Sequence, residues 1–174
     1  ANQLDMNLAC GSVSMDDNFN LNATTILKID APVGGMSLQD IGHLTGGHDV
    51  ILIGPTVIGT NVTITAGAGM ELDGSNITMG IGATLNSNAN MVLNCPTLSN
   101  STTLTTTQNM TLRCDTNVQI TEDVTLTAGV NLDITVTDGG SLGVGNNFNF
   151  SAGVNMLVSA VPGGVAMGTS GSLT

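Results

Sequence analysis

The stretch "NVTITAGAGMELDGSNITMGIGATLNSNAN", Asn61 to Asn90, limits the fold more than any other feature of the chain. It repeats a short apolar alternation, closes each half on an asparagine (Asn76 and Asn90), and holds no aromatic residue, lysine or arginine. Cutting the chain after each recurrent Asn or its substitute gives the blocks "VTITAGAGMELDGSN", "ITMGIGATLNSNAN", "MVLNCPTLSNSTT", "LTTTQNMTLRCDTN", "VQITEDVTLTAGVN", "LDITVTDGGSLGVGNN" and "FNFSAGVNMLVSAVPGG". Their first and third positions are Val62/Ile64, Ile77/Met79, Met91/Leu93, Leu104/Thr106, Val118/Ile120, Leu132/Ile134 and Phe148/Phe150, thirteen of fourteen apolar. The positions between are Thr63, Thr78, Val92, Thr105, Gln119, Asp133 and Asn149, six of seven polar. Such alternation describes a strand with one face inside and one outside.

A second alternating patch follows about seven residues later at Met70/Leu72, Met110/Leu112, Val124/Leu126 and Leu142/Val144. Short strands about every seven residues, separated by Gly, Asn, Asp and Ser, predict an all-β parallel β-solenoid. Coils would stack at about 4.8 Å. Val62, Ile64, Ile77, Met79, Leu104, Val118, Ile120, Leu132 and Ile134 would form a core ladder. Asn61, Asn76, Asn90, Asn117, Asn131 and Asn147 would be one corner seen repeatedly, because Asn tolerates left-handed backbone and bonds to an Asn stacked above it. Two strands per coil give about 14 residues and fit the Asn period; three give about 21 and fit the interval between Cys95 and Cys114, and we lean to three. The competing architecture is an antiparallel β-sandwich with strands at similar spacing.

The composition suits a narrow coil. There is no Trp or Tyr, and the three Phe are Phe19, Phe148 and Phe150. Hydrophobic residues make up 41% and charged residues only 9%. The net charge of −11 sets 13 acids against Lys28 and Arg113, which leaves no basic patch for nucleic acid or an anionic membrane surface. No apolar run reaches the length of a membrane-spanning helix, so no membrane insertion is expected. The start "ANQLDMNLAC" reads as a mature end after signal cleavage or as trimming. Of Cys10, Cys95 and Cys114, either all are small buried hydrophobes or two are bridged, with Cys95–Cys114 the candidate disulfide.

Residues 1–49 depart from the repeat and are read as an N-terminal cap or assembly segment, with residues 50–174 as the solenoid. Within the first segment, Met36, Leu38, Ile41 and Leu44 fit one or two helical turns. Candidate chemistry is sparse. His43 and His48 with Asp40 and Asp49 match no standard metal-ligand spacing, and Asp16-Asp17 and Glu122-Asp123 lack a calcium loop. With one Arg, no aromatic platform for sugars and no GxSxG, an enzyme is not expected, and no metal, cofactor or catalytic residue is assigned. The sequons at Asn22, Asn61, Asn76, Asn100 and Asn109 follow from an Asn- and Thr-rich composition.

The blocks "NVTITAG", "NITMGIGA" and "NVQITEDVTLTAG" resemble secreted β-solenoid surface proteins, the adhesin and appendage repeats, over about Val50 to Gly164. The resemblance implies an extracellular or cell-surface place. The first expectation for function is a structural subunit of a filament, sheath or matrix that polymerises with itself head to tail. An adhesin or fibre segment is the alternative, and ice binding through threonine rows a further one. The expected assembly contact is the uncharged C-terminal stretch, through Met156, Leu157, Val158, Val161, Val165 and Met167, by stacking or by strand insertion into a neighbour.

Overall fold

A computed structural model describes residues 2–94 and 96–174. Among these residues the chain forms 24 strands, β1 to β24, and no helix. They build three parallel eight-stranded sheets, and each coil contributes one strand to each sheet in turn. Sheet A contains β1 (Leu4–Asn7), β4 (Leu27–Asp30), β7 (Val50–Ile53), β10 (Met70–Asp73), β13 (Met91–Asn94), β16 (Met110–Cys114), β19 (Asn131–Val136) and β22 (Asn155–Ala160). Sheet B contains β2 (Val13–Met15), β5 (Met36–Leu38), β8 (Thr56–Ile58), β11 (Ile77–Met79), β14 (Pro96–Leu98), β17 (Val118–Ile120), β20 (Leu142–Val144) and β23 (Val165–Met167). Sheet C contains β3 (Asn20–Ala23), β6 (His43–Gly46), β9 (Thr63–Ala66), β12 (Thr84–Ser87), β15 (Thr103–Thr106), β18 (Thr125–Ala128), β21 (Asn149–Ala152) and β24 (Ser172–Leu173). The molecule is therefore a three-sided parallel β-solenoid of eight coils, and the parallel pairing excludes the sandwich.

The paired column Leu4, Leu27, Val50, Met70, Met91, Met110, Leu132, Met156 fixes the coils at 19 to 24 residues. Three strands per coil are therefore present, as expected, and not the two that the asparagine period alone favoured. Each side takes about seven residues, so a 14-residue repeat advances two sides and lands on a different sheet each time.

The core is a thin column of Val, Ile, Leu, Met and Ala with Phe150 fully enclosed. Alternate strand residues point into it, and neighbouring coils hydrogen-bond in register, so the backbone partners of one coil are supplied by the next. Four inward hydroxyl residues, Thr56, Ser87, Thr102 and Thr106, accompany the apolar ones. They donate to corner carbonyls, as in Thr56 Oγ1 to Gly54 at 2.9 Å and Thr102 Oγ1 to Ser99 at 2.7 Å, which removes the cost of burying them. Close corner packing requires glycine at Gly67 and Gly129, where an added Cβ would fall 2.1 Å from the carbonyl oxygens of Gly47 and Thr107.

Residues 4–46 enter the same three sheets as coils 1 and 2, with β4 pairing β7 and β6 pairing β9. The helical turns expected over residues 36–44 are instead β5 and β6, joined through a corner at Asp40–Ile41. Met36, Leu38 and Leu44 point inward while Ile41 points out. Their spacing fits a helix by coincidence, and β2 and β8 flanking β5 supply the ladder bonds that make it a strand.

Candidate functional site

Every residue of the expected core ladder is buried, but the nine are spread over three columns. Val62, Ile64 and Leu104 belong to the sheet C side, Ile77, Met79, Val118 and Ile120 to sheet B, and Leu132 and Ile134 to sheet A. Ile64 stacks between Leu44 and Leu85, Ile120 between Leu98 and Val144, and Ile134 between Leu112 and Val158. Thr106, the one polar residue among the fourteen first and third positions, also points inward.

The six corner asparagines divide equally among three corners. Asn61 and Asn147 lie between sheets B and C, Asn76 and Asn117 between A and B, and Asn90 and Asn131 at the entry to A. A continuous amide ladder does exist at that entry, through Asn90, Asn109, Asn131 and Asn155. Asn109 Nδ2 donates to Asn90 Oδ1 at 2.9 Å, Asn131 Nδ2 to Asn109 Oδ1 at 2.8 Å, and Asn155 Nδ2 to Asn131 Oδ1 at 3.0 Å. Asn109 and Asn155 were missed because the 14-residue cut does not return to the same corner.

Cys10 is exposed, and Cys114 is buried and free, its sulfur 3.3 Å from Thr116 Oγ1. Cys95, the proposed disulfide partner, lies outside the described residues. His43 heads β6, while His48 lies beyond its end with Nδ1 2.9 Å from Asp49 Oδ2. No group of three His, Cys, Asp or Glu that could hold a metal occurs among the described residues.

Two surfaces stand apart. The first is the outer face of sheet C. Its rows read Asn20, His43, Thr63, Thr84, Thr103, Thr125, Asn149, Ser172 and Asn22, Thr45, Thr65, Asn86, Thr105, Thr127, Ser151. Seven of the eight outward positions on β9, β12, β15 and β18 are Thr, and no acid, Lys or Arg lies on the face. The charges are elsewhere: Lys28, Arg113, Asp5, Asp30, Glu71, Asp73 and Asp133 are on sheet A, and the other eight acids are in corners. Thr rows of this kind present methyls and hydroxyls about 4.8 Å apart between coils and roughly 6.7 Å apart along a strand.

The second surface is the pair of solenoid ends. Each sheet terminates in a coil 1 strand at one end and a coil 8 strand at the other. Inward residues there are only partly covered: Leu4, Met6, Val13, Met15, Phe19 and Leu21 in coil 1, and Met156, Val158 and Ala160 in coil 8. Of the expected assembly residues, Leu157, Val161, Val165 and Met167 are exposed, while Met156 and Val158 lean into the core, lining an open depression with Leu173 and Thr174. The C-terminal strands β23 and β24 pair with β20 and β21 of their own chain.

These features define a three-sided parallel β-solenoid with a threonine face free of acids, Lys and Arg and with first and last coils whose inward residues are only partly covered by the described residues. Compared with protein-family models, curated proteins and solved structures, the chain matches none of them.

Proposed function

We propose that this chain is a structural subunit that stacks end to end into an extracellular filament, sheath or matrix. One observation carries the reading: six of the ten large hydrophobics exposed among the described residues, Val154, Leu157, Val161, Val165, Met167 and Leu173, lie in or beside coil 8. Val165, Met167 and Leu173 continue columns that the preceding coil buries at Leu142, Val144 and Phe150, so their exposure is local to this end, whereas Leu157 lies in the outward row with Asp133. An apolar coil with unpaired strand edges gains both buried area and backbone hydrogen bonds when another coil covers it. A heterologous contact between two different surfaces propagates instead of closing. The partner is a second copy of the chain. Light scattering against concentration tests this: growth of particles in the wild type, suppressed by Val165→Lys or by deletion of residues 164–174, is expected. A wild type that stays monomeric at high concentration contradicts it.

A second reading, ice binding, is favoured by the corrected register. Rows assembled on a 14-residue period mix three faces and are broken by Gln119 and Asp133, which lie on sheets B and A. On the 19–24-residue coils, the Thr rows of sheet C run without a charge. Flat, regular Thr rows are the surface that this reading requires. Thermal hysteresis that disappears in Thr84→Lys supports this reading; absence of hysteresis in the wild type removes it.

A further inference from the structure

The end-to-end reading leaves the docking register open, and the geometry of the two end coils supplies it. In coil 1 the paired columns of sheets A, B and C start at Leu4, Val13 and Asn20, nine and then seven residues apart. In coil 8 they start at Met156, Val165 and Ser172, again nine and seven apart. The second interval is seven in every coil, but the first varies from five to ten across coils 3 to 7 and equals nine elsewhere only in coil 2. The first and last coils therefore share the same spacing of strands around the coil.

We propose that coil 8 of one molecule stacks on coil 1 of the next in one register: Met156 on Leu4, Val158 on Met6, Val165 on Val13, Met167 on Met15 and Leu173 on Leu21. This inference rests on the end-to-end reading and adds its residue-level geometry. Every inward pair is apolar on apolar. Ser170, with φ of 60°, falls on Asn18, also at 60°, so the left-handed corner continues across the junction. The amide ladder that ends at Asn155 meets Gln3. Gly171 falls on Phe19, whose ring already leans toward Gly42 of its own coil 2, where an added Cβ would fall 2.0 Å from it. Gly171 likewise receives the Phe148 ring from coil 7 and offers no side chain to oppose Phe19.

Charge selects the same polarity. Residues 139–174 carry no charged side chain, whereas coil 1 carries Asp5, Asp16 and Asp17. In the proposed register these acids face Leu157, Gly168 and Thr169. A head-to-head contact would gather two copies of all three acids at one interface, and like charges there oppose association.

Paired cysteines on a Cys10→Ser background test the register. Facing residues on adjacent strands lie about 5 Å apart, within the range of a disulfide, whereas a two-residue offset places them about 8 Å apart, beyond it. Asp5→Cys with Leu157→Cys should give a ladder of disulfide-linked multimers on mild oxidation. Asn7→Cys with Leu157→Cys should not, and the Leu157→Cys single variant controls for the remaining thiols. Fibres that link only through the Asn7 pair, or through neither pair, overturn the register while the end-to-end reading stands. A wild type that forms no fibres overturns both.

Discussion

At the corner between sheets B and C, the same backbone conformation recurs in all eight coils. Asn18, Ile41, Asn61, Gly82, Ser101, Asp123, Asn147 and Ser170 all have φ between 55° and 72°. Left-handed backbone suits Gly, Asn and Asp and strains a β-branched residue. Ile41 is the misfit, at φ 57° and 54% exposed, so it has strain and little burial to offset it. Ile41→Asn is expected to stabilise the fold by about 1 kcal/mol, read as a higher urea midpoint; an unchanged or lower midpoint contradicts the strain argument. Asn109 both donates and accepts in the amide ladder. Asn109→Ala should cost about 1 kcal/mol in chemical denaturation, since both neighbours lose a partner. Of the left-handed column, only Asn61 and Asn147 were read as corners from the sequence. Ser101, Ser170 and Ile41 hold the same place with no compositional mark, because position in the coil, not residue type, imposes the turn.

At the level of strands, the alternation of apolar and polar residues was legible in the repeat blocks from Val62 to Phe150 but not at β5 and β6, and the assignment of strands to sheets was not. All fourteen first and third positions of the repeat blocks are buried. Yet consecutive blocks fall on sheets C, B, A, C, B, A and C, because a 14-residue step covers two sides of a three-sided coil. A repeat of side chains fixes which face is inside without saying how many sides close the coil. Irregular corners between sheets A and B blur the true period further, since the A-to-B interval ranges from five to ten residues. The inside–outside assignment has a direct test. Ile120→Asp places a charge among buried apolar groups and should cost several kcal/mol or unfold the chain, whereas Thr63→Asp on the outer face of sheet C should change the melting temperature little. Equal tolerance of the two would mean that the facing is reversed.

At the level of the whole molecule, the shape and the charge point the same way. Side chains are ordered by coil, the acids lie on sheet A and in the corners, and sheet C and coil 8 carry none. In the proposed fibre, a net charge of −11 would keep the sides of neighbouring fibres apart and leave the uncharged end to pack. The uncharged C-terminal stretch was readable from the sequence, but the matching first coil was not, because the irregular N-terminal segment hides its nine-then-seven spacing until the register is known. Continuous stacking requires each subunit to add its eight coils to the fibre axis, about 38 Å at roughly 4.8 Å per coil. Electron cryomicroscopy of assembled wild-type protein measures this repeat directly. An axial rise of about 38 Å per subunit, with strands perpendicular to the axis in unbroken sheets, is the expected result. A protein that stays monomeric, or a fibre whose rise differs from that by a coil or more, would contradict end-to-end stacking of the solenoid.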